Sequence, residues 1–270
     1  MESFCQNLNI TRSEIQPHWG EPVNPKLFGD ARDLFKYDLL TAVIKGFRGS
    51  IDRIVIVPML TKYDPNFKGN PGCRNMNLIA CFRRLRRTEE VDHYYDELKS
   101  YLKDLKTDIR KEKVRVRIEK NEIFSQQNRD AYFRNIYEDF PSNSLILVDP
   151  DIGIKEHDFS EKHLSFSELK QFYDNLDINS ILMVYQHYQR RKNAAFSQPE
   201  LKSRQVMDLI GMPPLVIADN TVMFIFLTKD KAKREILSGI LRNYARVEQV
   251  AARNKNAERS IEVLDPIQGS

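Results

Sequence analysis

Residues 145–154 read Leu145-Ile146-Leu147-Val148-Asp149-Pro150-Asp151-Ile152-Gly153-Ile154, and their pattern decides the fold. A run of branched apolar residues ends abruptly in an acid, a proline and a second acid. Apolar residues without alternation indicate a strand covered on both faces, as in a parallel sheet. Proline lacks the N–H that a ladder needs, so the strand is expected to stop there and release both carboxylates into a loop. Open α/β sheets bind ligands at the carboxyl ends of their strands, which makes Asp149 and Asp151 candidate site residues. The plain alternative is that the two acids only cap a turn.

Elements of alternating type flank this strand. Residues 1–28 are polar and carry Pro17, Pro22 and Pro25, which reads as an irregular arm. Apolar residues from 31 to 47 recur at helical spacing, with Asp30 placed to cap the helix. Residues 51–59 read as a strand ended by Pro58. A loop over 61–74 and helices over 76–86 and 91–105 follow. Val114, Val116 and Ile118 alternate with charged residues, the pattern of a strand near a sheet edge. Residues 129–140 predict a helix. Ser165 and Glu168 fit a capping box at the start of another helix, over 165–176. Residues 180–185 read as a buried strand and 198–210 as a helix. Residues 214–218 and 222–227 form a hairpin around Asp219-Asn220-Thr221. A closing helix covers 229–244.

This order predicts an α/β fold of Rossmann-like type. Its mainly parallel sheet carries helices on both faces and ends in a C-terminal antiparallel hairpin. The expected organisation is an arm over 1–28, one α/β domain over 29–250 and a loosely held tail over 251–270. The chain has 270 residues, 41% hydrophobic and 30% charged, which suits a globular protein with a substantial core. No apolar stretch approaches the length of a membrane span, so no membrane partner is expected. Met1-Glu2-Ser3-Phe4-Cys5-Gln6 lacks the basic and apolar parts of a secretory signal. Cys5, Cys73 and Cys81 have no metal-ligand spacing, and a cytoplasmic location is the expectation.

The net charge is +4, unevenly spread. Arg83-Arg84-Leu85-Arg86-Arg87, the basic residues of 110–120 and Arg190-Arg191-Lys192 form clusters that would suit a phosphate-bearing partner such as nucleic acid. Their alternative is a solvated helix face, since Glu89, Glu90, Asp92, Asp96 and Glu97 follow the first cluster. Neither a Gly-x-Gly-x-x-Gly nor a Walker loop occurs.

Phe28-Gly29-Asp30-Ala31-Arg32-Asp33-Leu34-Phe35-Lys36-Tyr37-Asp38-Leu39-Leu40 resembles the amino-terminal motif of the RlmJ-type adenine-N6 methyltransferases of large-subunit ribosomal RNA. Gly29, Asp33, Lys36 and Leu40 match that motif in register, while Asp30 and Tyr37 replace its Asn and His. Residues 116–124 resemble the family's Val-Glu-Lys-Ala-Asp-Gly-Phe segment, and 145–152 fall where it has Leu-Ile-Asp-Pro-Pro-Tyr. Order and spacing agree over residues 28 to 230. Class I methyltransferase sheets also finish with an antiparallel strand. The resemblance implies S-adenosylmethionine as cofactor and a nucleic-acid base as methyl acceptor. It assigns Gly29, Asp33, Lys36 and Glu122 to cofactor binding, with Lys36 near the methionyl carboxylate and Glu122 near the adenine. Asp149 would accept a hydrogen bond from the target amine.

The chain departs from the family at several points. Val57-Pro58-Met59-Leu60 replaces a glycine-containing turn after the first strand. Asp149-Pro150-Asp151-Ile152 lacks the aromatic ring on which a flipped base stacks. Between Arg87 and Lys113 no second strand ending in an acid for the ribose hydroxyls is legible. His187 follows a buried strand and is a candidate general base or ligand, with a structural role as the alternative. Asp149, Asp151, His157 and Asp158 lie close in sequence and would suit Mg²⁺ or Mn²⁺, so a metal-dependent nuclease or phosphodiesterase is a competing reading. A non-enzymatic nucleic-acid or partner-binding protein with a degenerate cofactor pocket is the third.

Overall fold

The computed structural model describes residues 31–47, 49–51, 53–59, 115–119, 124–187, 198–219, 222–253 and 261–266. Within these ranges the helices and strands are numbered in chain order. The helices are α1 (Ala31–Gly46), α2 (Arg129–Glu138), α3 (Phe166–Asn175), α4 (Gln198–Ile210) and α5 (Lys231–Arg253). The strands are β1 (Arg53–Met59), β2 (Arg115–Ile118), β3 (Ser144–Pro150), β4 (Gly153–Lys155), β5 (His163–Ser165), β6 (Ile181–His187), β7 (Leu215–Ala218), β8 (Val222–Leu227) and β9 (Glu262–Leu264). The expected loop over 61–74 and helices over 76–86 and 91–105 lie outside the described residues.

One sheet has the order β2-β1-β3-β6-β8-β7-β9. β2, β1, β3 and β6 are mutually parallel, and β8 runs antiparallel to β6 and to β7. The fold is therefore α/β with a mostly parallel, mixed sheet. The expected neighbours β3 and β6 do lie side by side and parallel, with Leu145 opposite Ile181 and Val148 opposite Val184. Among the described residues β2 is an edge strand, as its alternation predicts. β4 and β5 form a separate small parallel pair.

Two cores explain why the central strands read as continuous apolar runs. Successive side chains of a strand point to opposite faces. Ile54 and Ile56 of β1, Leu145 and Leu147 of β3, and Ile181 and Met183 of β6 pack with Phe35, Leu39 and Val43 of α1 and Leu237 and Leu241 of α5. On the other face, Val55, Ile146, Val148, Leu182 and Val184 pack with Tyr132 and Phe133 of α2, Leu169 and Phe172 of α3, and Val206 of α4. Helices thus cover both faces. Among the described residues no helix is long and apolar enough to cross a membrane.

Two local expectations hold in detail. Ser165 and Glu168 form the reciprocal capping box at the start of α3. In the hairpin, the Asp219 N–H donates to Val222 O at 2.9 Å and Asp219 Oδ1 accepts from the Val222 N–H at 3.0 Å.

Two expectations change. β3 does not stop before its proline: Asp149 and Pro150 remain in the strand, opposite Pro58 and Met59 of β1. The β3–β6 register ends earlier, at Val148 and Val184, so a residue without an N–H costs that ladder nothing. β9 falls within the stretch expected as a tail and pairs with β7. Its anchor is Asp265, whose carboxylate side chain is 2% exposed and accepts from Arg234 Nη2 and from Ser238 Oγ, each at 2.8 Å.

Candidate functional site

Strand alternation places Asp149, like Leu145 and Leu147, on the α1 face of β3. It places Tyr185 and His187, like Ile181 and Met183, on the same face of β6. α1 lies across that face and brings Lys36 to the carboxyl end of β3. Lys36 Nζ donates to Asp149 Oδ2 at 2.6 Å. The ammonium also lies 5.3 Å from the centroid of the Tyr185 ring and 5.4 Å from that of Tyr37. Carboxylate and aromatic faces both favour a cation there. Lys36 is buried at 6% exposure, so it is not the solvated lysine that an amphipathic helix ordinarily presents.

Neighbouring contacts hold α1 in place. Phe35 stacks on Tyr244 of α5 at 6.0 Å, and the Tyr244 hydroxyl donates to Asp38 Oδ2 at 2.7 Å. At the adjacent strand end, the Tyr132 hydroxyl of α2 donates to the Pro58 carbonyl at 2.5 Å.

Asp151 begins the bend after β3. Its Oδ2 lies 3.9 Å from Lys162 Nζ, a looser contact than that of Asp149. His187 ends β6 opposite Val222, and its backbone N–H donates to the Ile152 carbonyl at 2.8 Å. Asp149, Asp151 and His187 therefore stand at the same edge, and Asp149 meets Lys36 there. Gly29 and Glu122 lie outside the described residues, and so does the Asp33 side chain. His157 is exposed and 3.6 Å from Glu156 Oε1. Among the described residues no three His, Cys, Asp or Glu side chains gather as a metal cage.

Sequence reading missed two charged groups near this edge. Glu119 follows β2, the strand beside β1, and is 7% exposed. Its N–H donates to Ile56 O at 2.8 Å, and its carboxylate meets Arg117 Nε at 2.6 Å. An acid closes the strand next to β1 after all, later in the chain than the stretch searched for it. The second group is Arg129 of α2, 4% exposed, whose guanidinium grips Glu168 through Nε on Oε1 and Nη2 on Oε2. Arg129 Nη2 also donates to the His163 carbonyl at 2.8 Å. Since Glu168 caps α3, this bidentate pair ties α2, β5 and α3 into one unit under the loop that follows Asp151.

Burial first, then the charges of Lys155, Arg129 and Lys162, hold the His163 imidazole below its ordinary 6.5, with Asp151 pulling the other way. The Ser160 N–H donates to His163 Nδ1 at 3.3 Å, which assigns the neutral tautomer protonated on Nε2. Burial also lowers Lys202, with Glu156 opposing it.

No protein-family model matches this chain, and no curated protein matches it either.

Proposed function

We propose that this chain is a divergent S-adenosylmethionine-dependent methyltransferase-like protein acting on a nucleic-acid base. The observation that carries the reading is the meeting of Lys36 and Asp149 at the carboxyl end of β3. The resemblance over residues 28–230 assigns these two residues to one site, although 113 positions separate them. The sheet order is a second support, because β8 is reversed between β6 and β7 as in the sheets of class I methyltransferases.

The donor set suits the charged ends of the cofactor. An ammonium has three N–H donors, so Lys36 can hold Asp149 and a methionyl carboxylate together. Glu119 stands where an acid can accept from ribose hydroxyls. The turn after β1 suits it less: Met59 is 1% exposed and still paired with Pro150, where the family has a glycine-containing turn. When bound, the cofactor supplies a methyl group on a sulfonium. The protein's part is orientation. Asp149 accepts an N–H of the target amine and turns its lone pair toward the methyl group, while Lys36 fixes the Asp149 rotamer. The amine proton leaves to solvent or to a nearby base at the edge, and His187 is the candidate.

The test is incorporation of labelled methyl groups from S-adenosylmethionine into total RNA and DNA, run beside an assay of Mg²⁺- or Mn²⁺-dependent cleavage. Wild type is expected to incorporate label. Asp149→Ala should lose about a hundredfold in rate while staying folded, since misplacing a reacting group has effects of that order. Asp151→Asn should keep methyl transfer at reduced rate. Cleavage that collapses in Asp151→Asn, without incorporation by wild type, would replace this reading with a metal-dependent hydrolase. Silence in both assays would leave the non-enzymatic reading.

A further inference from the structure

The backbone just after Asp149-Pro150-Asp151 is tied to β6 through the side chain of Gln186. Alternation turns Gln186 to the face opposite Tyr185 and His187, where it is 7% exposed. Gln186 Oε1 accepts from the Ile154 N–H at 2.7 Å. Its Nε2 donates to the His187 carbonyl at 2.7 Å and to the Ile152 carbonyl at 3.5 Å. A buried carboxamide costs stability unless its donors and acceptor are satisfied, and here each serves the strand end or the Ile152–Ile154 backbone.

Further contacts converge on the same segment. The His187 N–H donates to the Ile152 carbonyl at 2.8 Å, and the Ile152 N–H donates to the Lys162 carbonyl at 2.9 Å. Lys202 Nζ donates to the Ile154 carbonyl at 3.2 Å. Gly153 makes room for the amide: its φ is +130°, and a Cβ there would stand 2.5 Å from Gln186 Cδ. No other residue type combines that backbone conformation with that space.

We infer that Gln186 is a positioning residue of the candidate site. Its amide fixes the backbone of residues 152–154, and through it where Asp151 and the 37%-exposed Ile152 stand relative to Asp149. The inference rests on the reading that this edge receives a nucleic-acid base. It adds that acceptor placement depends on the clamp, whereas cofactor binding, assigned to Lys36 and Glu119, does not.

The test uses the full chain with two probes. One is S-adenosylmethionine, followed by calorimetry; the other is a short single-stranded adenine-containing RNA, followed by fluorescence anisotropy. Gln186→Ala is expected to weaken RNA binding about tenfold and to leave cofactor affinity within about twofold, as loss of orientation alone would do. Gln186→Glu keeps the acceptor for the Ile154 N–H and should recover part of the loss. Gly153→Ala should copy Gln186→Ala by displacing the amide. The double variant should be little worse than Gly153→Ala alone, because coupled residues are not additive. Equal RNA affinity in wild type and Gln186→Ala would overturn the inference. So would parallel loss of both ligands, additive effects, or no RNA binding by wild type. Wild type that binds the RNA but not the cofactor would sink the methyltransferase reading, while the Gln186 effect on RNA would still support the clamp.

Discussion

Lys36 Nζ and Asp149 Oδ2 lie 2.6 Å apart, with side-chain exposures of 7% and 19%, and their contact joins α1 to the end of β3. Removing one member leaves the other charge poorly solvated, a loss that for buried pairs reaches several kcal/mol. Asp149 keeps some water, so Lys36→Met should cost about 2 kcal/mol of unfolding free energy. Lys36→Met with Asp149→Leu should recover most of it. Denaturant unfolding of Lys36→Met, Asp149→Leu and the double variant provides the cycle, and additive losses would show that the pair is not coupled.

Arg129 and Glu168 are a more deeply buried pair, at 5% and 11% side-chain exposure. Arg129→Leu removes both arms of the fork and the bond to the His163 carbonyl, leaving Glu168 uncompensated at the α3 cap. The expected loss is about 3–5 kcal/mol, larger than that of Lys36→Met. A midpoint of unfolding close to wild type would show that the pair does not organise this part of the fold.

His163 gives a pH dependence of known sign. Its imidazole is held below 6.5 in the folded protein, chiefly by burial, so the unfolded chain binds the proton more readily. Its contribution is fully present above 6.5 and is lost as pH falls through that value and below it. His163→Asn keeps an acceptor for the Ser160 N–H and removes the titration. Between about pH 7 and 5, the variant should therefore lose less stability than wild type. An equal or steeper fall in the variant, read from unfolding midpoints across that range, would contradict the assignment.

Much of the sheet was legible because its strands are buried on both faces. Leu145–Val148, Ile181–Tyr185 and Val222–Leu227 are apolar without a break, and no helix period competes with them. The helix α3 was marked by its capping box. The strands β4, β5 and β9 were missed because three residues carry too little alternation to read. Pro150 was expected to end β3, but a ladder already finished on its β6 side makes the missing N–H harmless. Arg129 looks like a solvated helix charge and Glu168 like a cap alone, and only the folded chain shows that 39 positions of sequence close into a buried fork. The Lys36–Asp149 contact lies on neither local pattern. The resemblance alone implies that the two residues share a site.

Calorimetric titration of the full chain with S-adenosylmethionine, repeated on Lys36→Met, tests the central claim most directly. Wild type is expected to bind one equivalent, and Lys36→Met to bind at least about tenfold more weakly, because a carboxylate loses a charge-assisted partner worth about 1.5–3 kcal/mol. No heat of binding in wild type, or equal affinity in the two proteins, would contradict the account.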